Sequence, residues 1–430
     1  MENRRLIIKN VGPISSIEIE LNKVNVFIGE QGSGKSTIAK LISYCTWVEK
    51  KIALDYGTEY FETENTFIDS LTTFHKLDGY FNENSFFRFE SEILEFEYYH
   101  NIGKPEIKIK DLNLYKRKKI SYIPSERNIV ASIPNWFEVK LPDNNIRSFM
   151  SDWENARKTH TKENPLEVLN FGFNYHYDES IKGDIITYNN GEQFALTNVA
   201  SGFQAIVPLL VVVEYVTKWI YRNEENDSVV NLSKHKKISS KVVSKDLEMK
   251  NILEEMRLVS LPKDESRAKE MVSFITNRLD ELDNFVTANF IKTNSTHLII
   301  EEPEQNLFPQ TQRDLLYSLI GNVVNNEKDI CLTLTTHSPY ILYAINNCLM
   351  GGLVKDIVNE KDKEIASSNS WIDTKLVSIW QITKENTIIS LKNERDTLGK
   401  HFFNDVLNDV MDEYYILIKY LNKVSYAKRD

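Results

Sequence analysis

Apolar positions along the chain follow two periods, and the points where the period changes divide it into elements. Residues 5–21 alternate, with Ile17, Ile19 and Leu21 set against Glu18 and Glu20, and a Gly12-Pro13 turn divides the run into a predicted hairpin. Residues 24–28 are apolar except for Asn25, as expected of a strand covered on both faces. Alternation returns over 86–90, 93–99 and 105–110; Leu94, Phe96 and Tyr98 face one way and Glu95 and Glu97 the other, which predicts an antiparallel β layer. A second antiparallel set is predicted over 170–177, 185–188 and 193–196, with Asn189-Asn190-Gly191 as a turn. Further strands are expected at 120–124, 297–302 and 330–335, with short ones around 376–391.

Helical spacing marks 36–54, 144–163, 206–221, 246–258, 309–324 and 340–349. It also marks 265–290, where Ala268, Met271, Val272, Ile275, Leu279, Leu282 and Val286 share a face. The last helix carries Phe403, Val406, Leu407, Val410, Tyr414, Leu417 and Leu421. Residues 55–80 are polar, aromatic and poorly periodic, and 223–250 are polar with a basic stretch. At 1.5 Å per residue the longer helix of the 246–290 region spans about 40 Å, which makes a helical arm or cap and not a long coiled-coil rod. No internal repeat is visible. The expected division is an N-terminal part over 1–205, a helical insertion over 206–292, a C-terminal part of the same α/β body over 293–350, and an α/β extension over 351–430.

With 430 residues, 41% of them apolar and 27% charged, the chain is long enough for one large domain with insertions or for two domains. No stretch offers the roughly 18 uninterrupted apolar residues of a membrane span, and the N-terminus enters a strand at once, so a cytoplasmic protein without a membrane partner is expected. Cys45, Cys331 and Cys348 stand among apolar neighbours and form no CxxC pair, so they read as core residues. The formal charge of −10, from 52 basic and 62 acidic residues, disfavours coating nucleic acid by charge alone and leaves room for a local basic patch. Two such patches stand out. Lys116-Arg117-Lys118-Lys119 is either a solvated strand end or a phosphate contact; Lys234, Lys236, Lys237, Lys241 and Lys245 mark either a mobile loop or a contact for nucleic acid or a partner.

The chemistry centres on residues 24–37, where the apolar strand runs into Gly29-x4-Gly34-Lys35-Ser36. Gly29, Gly32 and Gly34 let backbone N–H groups approach phosphate oxygens, and Gln31, Ser33 and Thr37 complete the loop and the first turn of the helix. Lys35 is placed to reach the β- and γ-phosphates of ATP, and the Ser36 hydroxyl to join Mg2+. Leu298-Ile299-Ile300-Glu301-Glu302 is a buried strand ending in two carboxylates: Glu301 can hold Mg2+ through water, and Glu302 can orient and deprotonate a water that attacks in line. His337, in Thr335-Thr336-His337-Ser338-Pro339 after the next strand, is placed to bond the γ-phosphate or that water. Ser201 and Gly202, in Ala200-Ser-Gly-Phe-Gln204 at a helix start, suit a second phosphate-binding surface.

Taken in order, these motifs resemble the ABC-type P-loop ATPases of the structural-maintenance-of-chromosomes and RecF group, and within it the compact ATPases related to overcoming-lysogenization-defect (OLD) proteins. Residues 7–14 and 299–310 add to the resemblance, which spans 1 to about 350. It implies a mixed α/β fold and an Mg-dependent ATPase whose heads join as a homodimer or higher oligomer. Ser201 and Gly202 of one subunit would close on the γ-phosphate held by Lys35 and Ser36 of another, and Asn306 would lie in the loop crossing the interface. The loop after 120–124 has no glutamine where relatives place one on Mg2+; either Glu126, Arg127 or Asn128 substitutes, or the contact is absent. Long arms in that group precede the signature, whereas the insertion here follows it. The tail after 350 lacks the glutamate plus DxD set of a Toprim nuclease. The function implied is a nucleotide-driven switch controlling a separate effector protein, a nuclease or toxin, in anti-phage defence. The alternative is a RecF-like DNA-binding ATPase of repair or recombination; a transporter subunit is remote.

Overall fold

The computed structural model describes the whole chain except residues 1–3, 134–139, 223–228, 247–249, 252–253, 255–264, 359–364 and 428–430. The N-terminal hairpin forms as expected, β1 (Arg4–Val11) against β2 (Ile14–Leu21), with Leu6 opposite Ile19 and Ile8 opposite Ile17. It joins β4 (Phe81–Glu90), β5 (Leu94–Tyr99) and β6 (Pro105–Ile109) in a five-stranded antiparallel sheet of order β2-β1-β4-β5-β6. The apolar side of that sheet packs on helix α1 (Lys35–Asp55) through Ile38, Leu41, Ile42, Cys45 and Val48.

The central sheet has the order β15-β14-β3-β13-β12-β7, from β3 (Val24–Ile28), β7 (Lys118–Ile123), β12 (Ser295–Glu301), β13 (Asp329–Thr336), β14 (Val377–Ile382) and β15 (Ile388–Ser390). All neighbours are parallel except β14 and β15. Its register positions the chemistry. Thr336 pairs with Ile28 and Glu301 with Thr335, so the segments after β3, β12 and β13 leave from one edge, and the loop after β7 joins them. Parallel α/β sheets bind ligands at this carboxyl edge. The chain after residue 350 contributes to the sheet: β14 lies directly beside the P-loop strand, with Gln381 opposite Ile28.

A third sheet, β11-β10-β9-β8, comprises β8 (Leu166–Glu167), β9 (Phe173–Asp178), β10 (Gly183–Tyr188) and β11 (Gln193–Ala195). It shares a core with α3 (Asn145–Arg157) and α4 (Ser201–Thr217). Helix α4 and its continuation to Tyr221 are apolar and long enough to cross a membrane by composition, but most of that stretch is buried in this core. The antiparallel layer, mixed central sheet and helical insertion of an ABC-type P-loop fold are all present.

Three local expectations change. Residues 55–80 contain a helix, α2 (Thr66–His75), whose single turn of apolar contacts (Phe67, Ile68, Leu71) is too short to show a period. The polar stretch 223–250 holds helix α5 (Val229–Lys245) in place of a loop. Its Ile238 and Val242 pack with Leu282 and Val286 of α6 (Glu265–Val286) and with Phe290 onto the core under the antiparallel sheet, so the insertion folds back as a cap. Lys241 and Lys245 donate to the carbonyls of Asp55 and Tyr56, compensating the negative end of α1. Finally, the 116–119 cluster is neither fully solvated nor left for phosphate: Arg117 donates to the Ile291 carbonyl, Lys118 meets Glu49 at 3.3 Å and Lys119 meets Asp152 at 2.5 Å. The helix expected over 246–258 falls mostly outside the described residues. Further helices are α7 (Pro309–Val324), α8 (Pro339–Val354) and α9 (Phe402–Ala427).

Candidate active site

Strand β3 is buried at all five positions and ends in the Gly29–Gly34 loop. Gly32 and Gly34 have φ of +77° and +103°, which L side chains rarely adopt, and a Cβ on Gly34 would lie 2.9 Å from Ile14 of the hairpin behind it. No side chain caps α1, and its first turn holds no acid, so its N-terminal N–H groups are left for an anion. Lys35 is buried, and its ammonium donates to the loop's own carbonyls, Gly29 at 3.0 Å and Glu30 at 2.8 Å. The buried Ser33 hydroxyl has no partner, and Ser36 is half-buried. This loop fits a polyphosphate.

Burial lowers the Lys35 pKa to about 8, with Glu302 and Glu304 acting in the opposite direction. The unliganded protein therefore loses this charge as pH rises through 8, and a bound triphosphate restores it. ATP binding near pH 8–9 is expected to take up a fraction of a proton. Calorimetry in buffers of different ionisation enthalpy reads this directly, and Lys35→Met should abolish the uptake along with most of the binding.

At the end of β12, Glu301 is buried and accepts a hydrogen bond from the Tyr122 hydroxyl; burial pushes its carboxyl up, against that bond. Its carboxylate is a hard-oxygen donor of the kind Mg2+ takes. Glu302 has φ of +43° although Pro303 follows it, a combination that sterics disfavour. Three bonds hold it there: its N–H donates to the Thr335 carbonyl at 2.9 Å, and its own carbonyl accepts from Arg127 at 2.7 Å and from the Gln305 N–H at 3.1 Å. Its carboxylate lies 3.4 Å from His337 Nε2, and this contact holds its pKa below the usual range.

Sequence named Arg127 only as one of three possible substitutes for the missing glutamine, and it did not single out Glu304 or Tyr122. Arg127 is fully buried and donates to the carbonyls of Pro124, Ala205, Glu301, Glu302 and Pro303, joining the end of β12 to α4. It cannot stand in for the missing glutamine, because a guanidinium has no acceptor to offer a metal. Exposed Glu126 is near enough to Glu301 to raise its carboxyl. Glu304 is buried, which pushes its carboxyl up, and it accepts the His337 N–H at 2.6 Å, tying the loop after β12 to the loop after β13. Tyr122, the donor to Glu301, is the other residue that sequence did not single out. Only the Glu-Pro-Glu phrase hinted at Glu304; a lone Tyr carries no such signal.

The fold does not bring Ser201 and Gly202 to the P-loop. Ser201 is exposed at the start of α4, and a Cβ on Gly202 would lie 2.8 Å from the carbonyl of Asn306, itself at φ +60°. The signature and the 302–307 loop thus form one surface of the chain. Beside the P-loop, a cleft of about 640 Å3 is lined by Gln31, Ser33, Thr383, Asn386 and Phe402 among others, and is large enough for the nucleoside part of a nucleotide.

A family profile described as an AAA domain matches residues 5–312. A search of curated proteins finds no match. Among solved structures, the chain is similar at 10% identity to an SMC head domain from Thermotoga maritima, covering 91% of this chain and 100% of that one with a TM-score of 0.36. It is similar at 9% identity to an Smc head with an extended coiled coil bound to the C-terminal domain of ScpA from Pyrococcus furiosus, covering 96% and 100% with a TM-score of 0.29. A structure of the recombination mediator RecF with a nucleotide analogue is similar at 9% identity, covering 90% and 98% with a TM-score of 0.26. Likenesses this distant say nothing of what the chain binds or acts on.

Proposed function

Because the chain belongs to the AAA-domain family and is an ATPase, we propose that it is a nucleotide-driven switch whose ATP sites are completed between subunits. The observation that carries this reading is the Arg127 link: one guanidinium ties the backbone of Glu301, Glu302 and Pro303 to Ala205 of the signature helix. A change at the γ-phosphate end of the sheet must therefore move α4 and the surface around Ser201 and Gly202.

In this reading the Gly29–Gly34 loop, Lys35 and Thr37 hold the ATP phosphates, and Ser36 and Glu301 would hold Mg2+, which would supply neutralisation of the phosphate charge. Glu302, ionised and fixed by its strained backbone, accepts a proton from the attacking water. His337 donates to Glu302 and orients it, and Glu304 fixes the His337 backbone. Exposed Ser201, with Gly202 beside Asn306, faces the γ-phosphate of a second copy. By its resemblance to OLD-related ATPases, the output is control of a separate effector, a nuclease or toxin, in defence against phage. The RecF-like alternative keeps one observation in its favour: Lys236 and Lys237 are exposed on α5, Lys237 lying 3.9 Å from Asp55, while Lys241 and Lys245 donate to backbone carbonyls.

Mixing two inactive proteins tests the composite site. Lys35→Ala spoils the P-loop alone, and Ser201→Glu, at an exposed position, places a carboxylate against the partner's γ-phosphate. Separately neither should turn over ATP. Mixed in equal amounts they should recover about a quarter of wild-type activity, since half the pairs are mixed and each mixed pair has one intact site. Absence of any recovery, with both proteins folded, would sink the composite site.

A further inference from the structure

A second cavity, of about 500 Å3, is lined by residues of α1, α2, β7 and the start of α3, and shares no lining residue with the cleft beside the P-loop. Its volume is that of a small-molecule site. Two groups of rings line it. Tyr44, Trp47 and Tyr60 touch in turn, with centroids 5.6 and 6.1 Å apart, and so do Phe74, His75 and Tyr122, at 4.9 and 5.1 Å. Ser43, Ser70, Thr73 and Ser148 add hydroxyl groups to the same wall. His75 is only 1% exposed, and its Nδ1 has no hydrogen-bond partner among the described residues. Burial, helped by the nearby charge of Lys40, lowers its pKa to about 3, so the ring is neutral and carries one donor and one acceptor. A buried imidazole without a partner costs the fold stability that a phenylalanine in its place would not.

We propose that this cavity binds an uncharged nucleoside, at a site separate from that of ATP. Each part of the wall selects a part of such a ligand. The rings offer faces and edges to a flat heterocycle, as aromatic side chains do wherever bases are stacked. The neutral imidazole of His75 can donate to a ring nitrogen or carbonyl of the base, or accept from its amino group. The four hydroxyl side chains suit the sugar, whose own hydroxyls both donate and accept. Charge argues against a phosphate: Lys50, the lysine of this wall, donates to the Lys118 carbonyl at 2.7 Å, and Asp143, also in the wall, repels an anion. The ligand class is therefore set by rings, hydroxyls and one unpaired imidazole, where the P-loop site is set by glycine N–H groups and a lysine.

Equilibrium dialysis of the full chain against adenosine, guanosine, cytidine and uridine tests this, with a slowly hydrolysed ATP analogue in excess to fill the cleft beside the P-loop. At least one nucleoside is expected to be retained, one per chain, and its monophosphate to bind about tenfold more weakly or worse. Two variants locate the site. His75→Phe keeps the ring and loses both nitrogens; Thr73→Trp, at an exposed position of α2, fills the space. Each should weaken retention by about tenfold or more. The thermal midpoint of His75→Phe should hold or rise, because the lost nitrogens bonded nothing in the fold; if this protein does not fold, Thr73→Trp decides. Tyr122 stays unchanged throughout, since it donates to Glu301. Failure of folded wild type to retain any of the four nucleosides at about 1 mM overturns the proposal. Retention that Thr73→Trp and a folded His75→Phe both leave intact also overturns it, as does a monophosphate that binds as tightly as its nucleoside.

Discussion

Glu302→Gln is expected to lower steady-state ATP turnover by about 10^3-fold while leaving ATP affinity within a few-fold of wild type. The amide keeps the size of the carboxylate and can still meet His337, but it cannot accept the proton of the attacking water. The hydrogen bonds of the phosphate-holding loop are kept, since Lys35 is tied to Gly29 and Glu30; losing the Glu302 charge only removes one of the influences that raise the Lys35 pKa. The variant should therefore accumulate in its ATP-bound assembled state, and its native mass with ATP and Mg2+ should exceed that of wild type. Duplex DNA separates the two functional readings. A mass gain with ATP alone supports the switch controlling a protein effector; a gain that requires DNA and disappears at high salt supports the RecF-like reading.

The pH dependence follows from the same contact. Because His337 holds the Glu302 pKa down, this base stays ionised through neutral and weakly acid pH. Its contribution to stability is present above the ordinary carboxylate pKa and is lost only as pH falls through the lower, folded value. The acid limb of the pH–rate profile attributable to Glu302 should therefore lie below the usual carboxylate range. His337→Ala should move that limb upward.

Arg127→Met is expected to destabilise the fold by about 3–5 kcal/mol, read as a lower urea midpoint. Methionine fills much of the space but donates nothing, so five carbonyls lose a donor in the interior. The effect on activity should exceed that of a generic core substitution. Arg127 supplies one of the three bonds that keep Glu302 at φ +43°, and losing it loosens the backbone that aims the Glu302 carboxylate. Turnover should fall by at least tenfold under conditions where the variant remains folded, with a smaller change in KM. Arg127→Lys restores charge without reaching five carbonyls and should recover only part of either loss. If folded Arg127→Met hydrolyses ATP at the wild-type rate, the link to the signature helix is structural and carries no signal.

The P-loop, the two carboxylates after β12 and the histidine after β13 were legible in the sequence because each is a local pattern: an apolar strand, a polar turn, a fixed spacing. The antiparallel layer was legible for the same reason, its alternation being set by one buried and one wet face. The helix within 55–80 and the helix α5 were not, because each buries too few positions to impose a period, and packing against α1 and α6 decides them.

Tertiary structure alone decided the rest. Strand β14 comes from the far end of the chain to lie beside β3, which no local pattern can specify. Arg127 and Glu304 became site residues only when the parallel register brought the ends of β7, β12 and β13 to one edge: a buried guanidinium is satisfied by carbonyls from segments some 80 to 175 residues distant in sequence, and such a partnership leaves no periodic trace. Sequence by itself determined the strand, glycine-rich turn and helix and the strand ending in paired carboxylates of this ATPase, since each is a local pattern of residue types at fixed spacing. Which backbone is pinned beneath them, and how the γ-phosphate end is joined to the signature helix, followed from long-range packing alone.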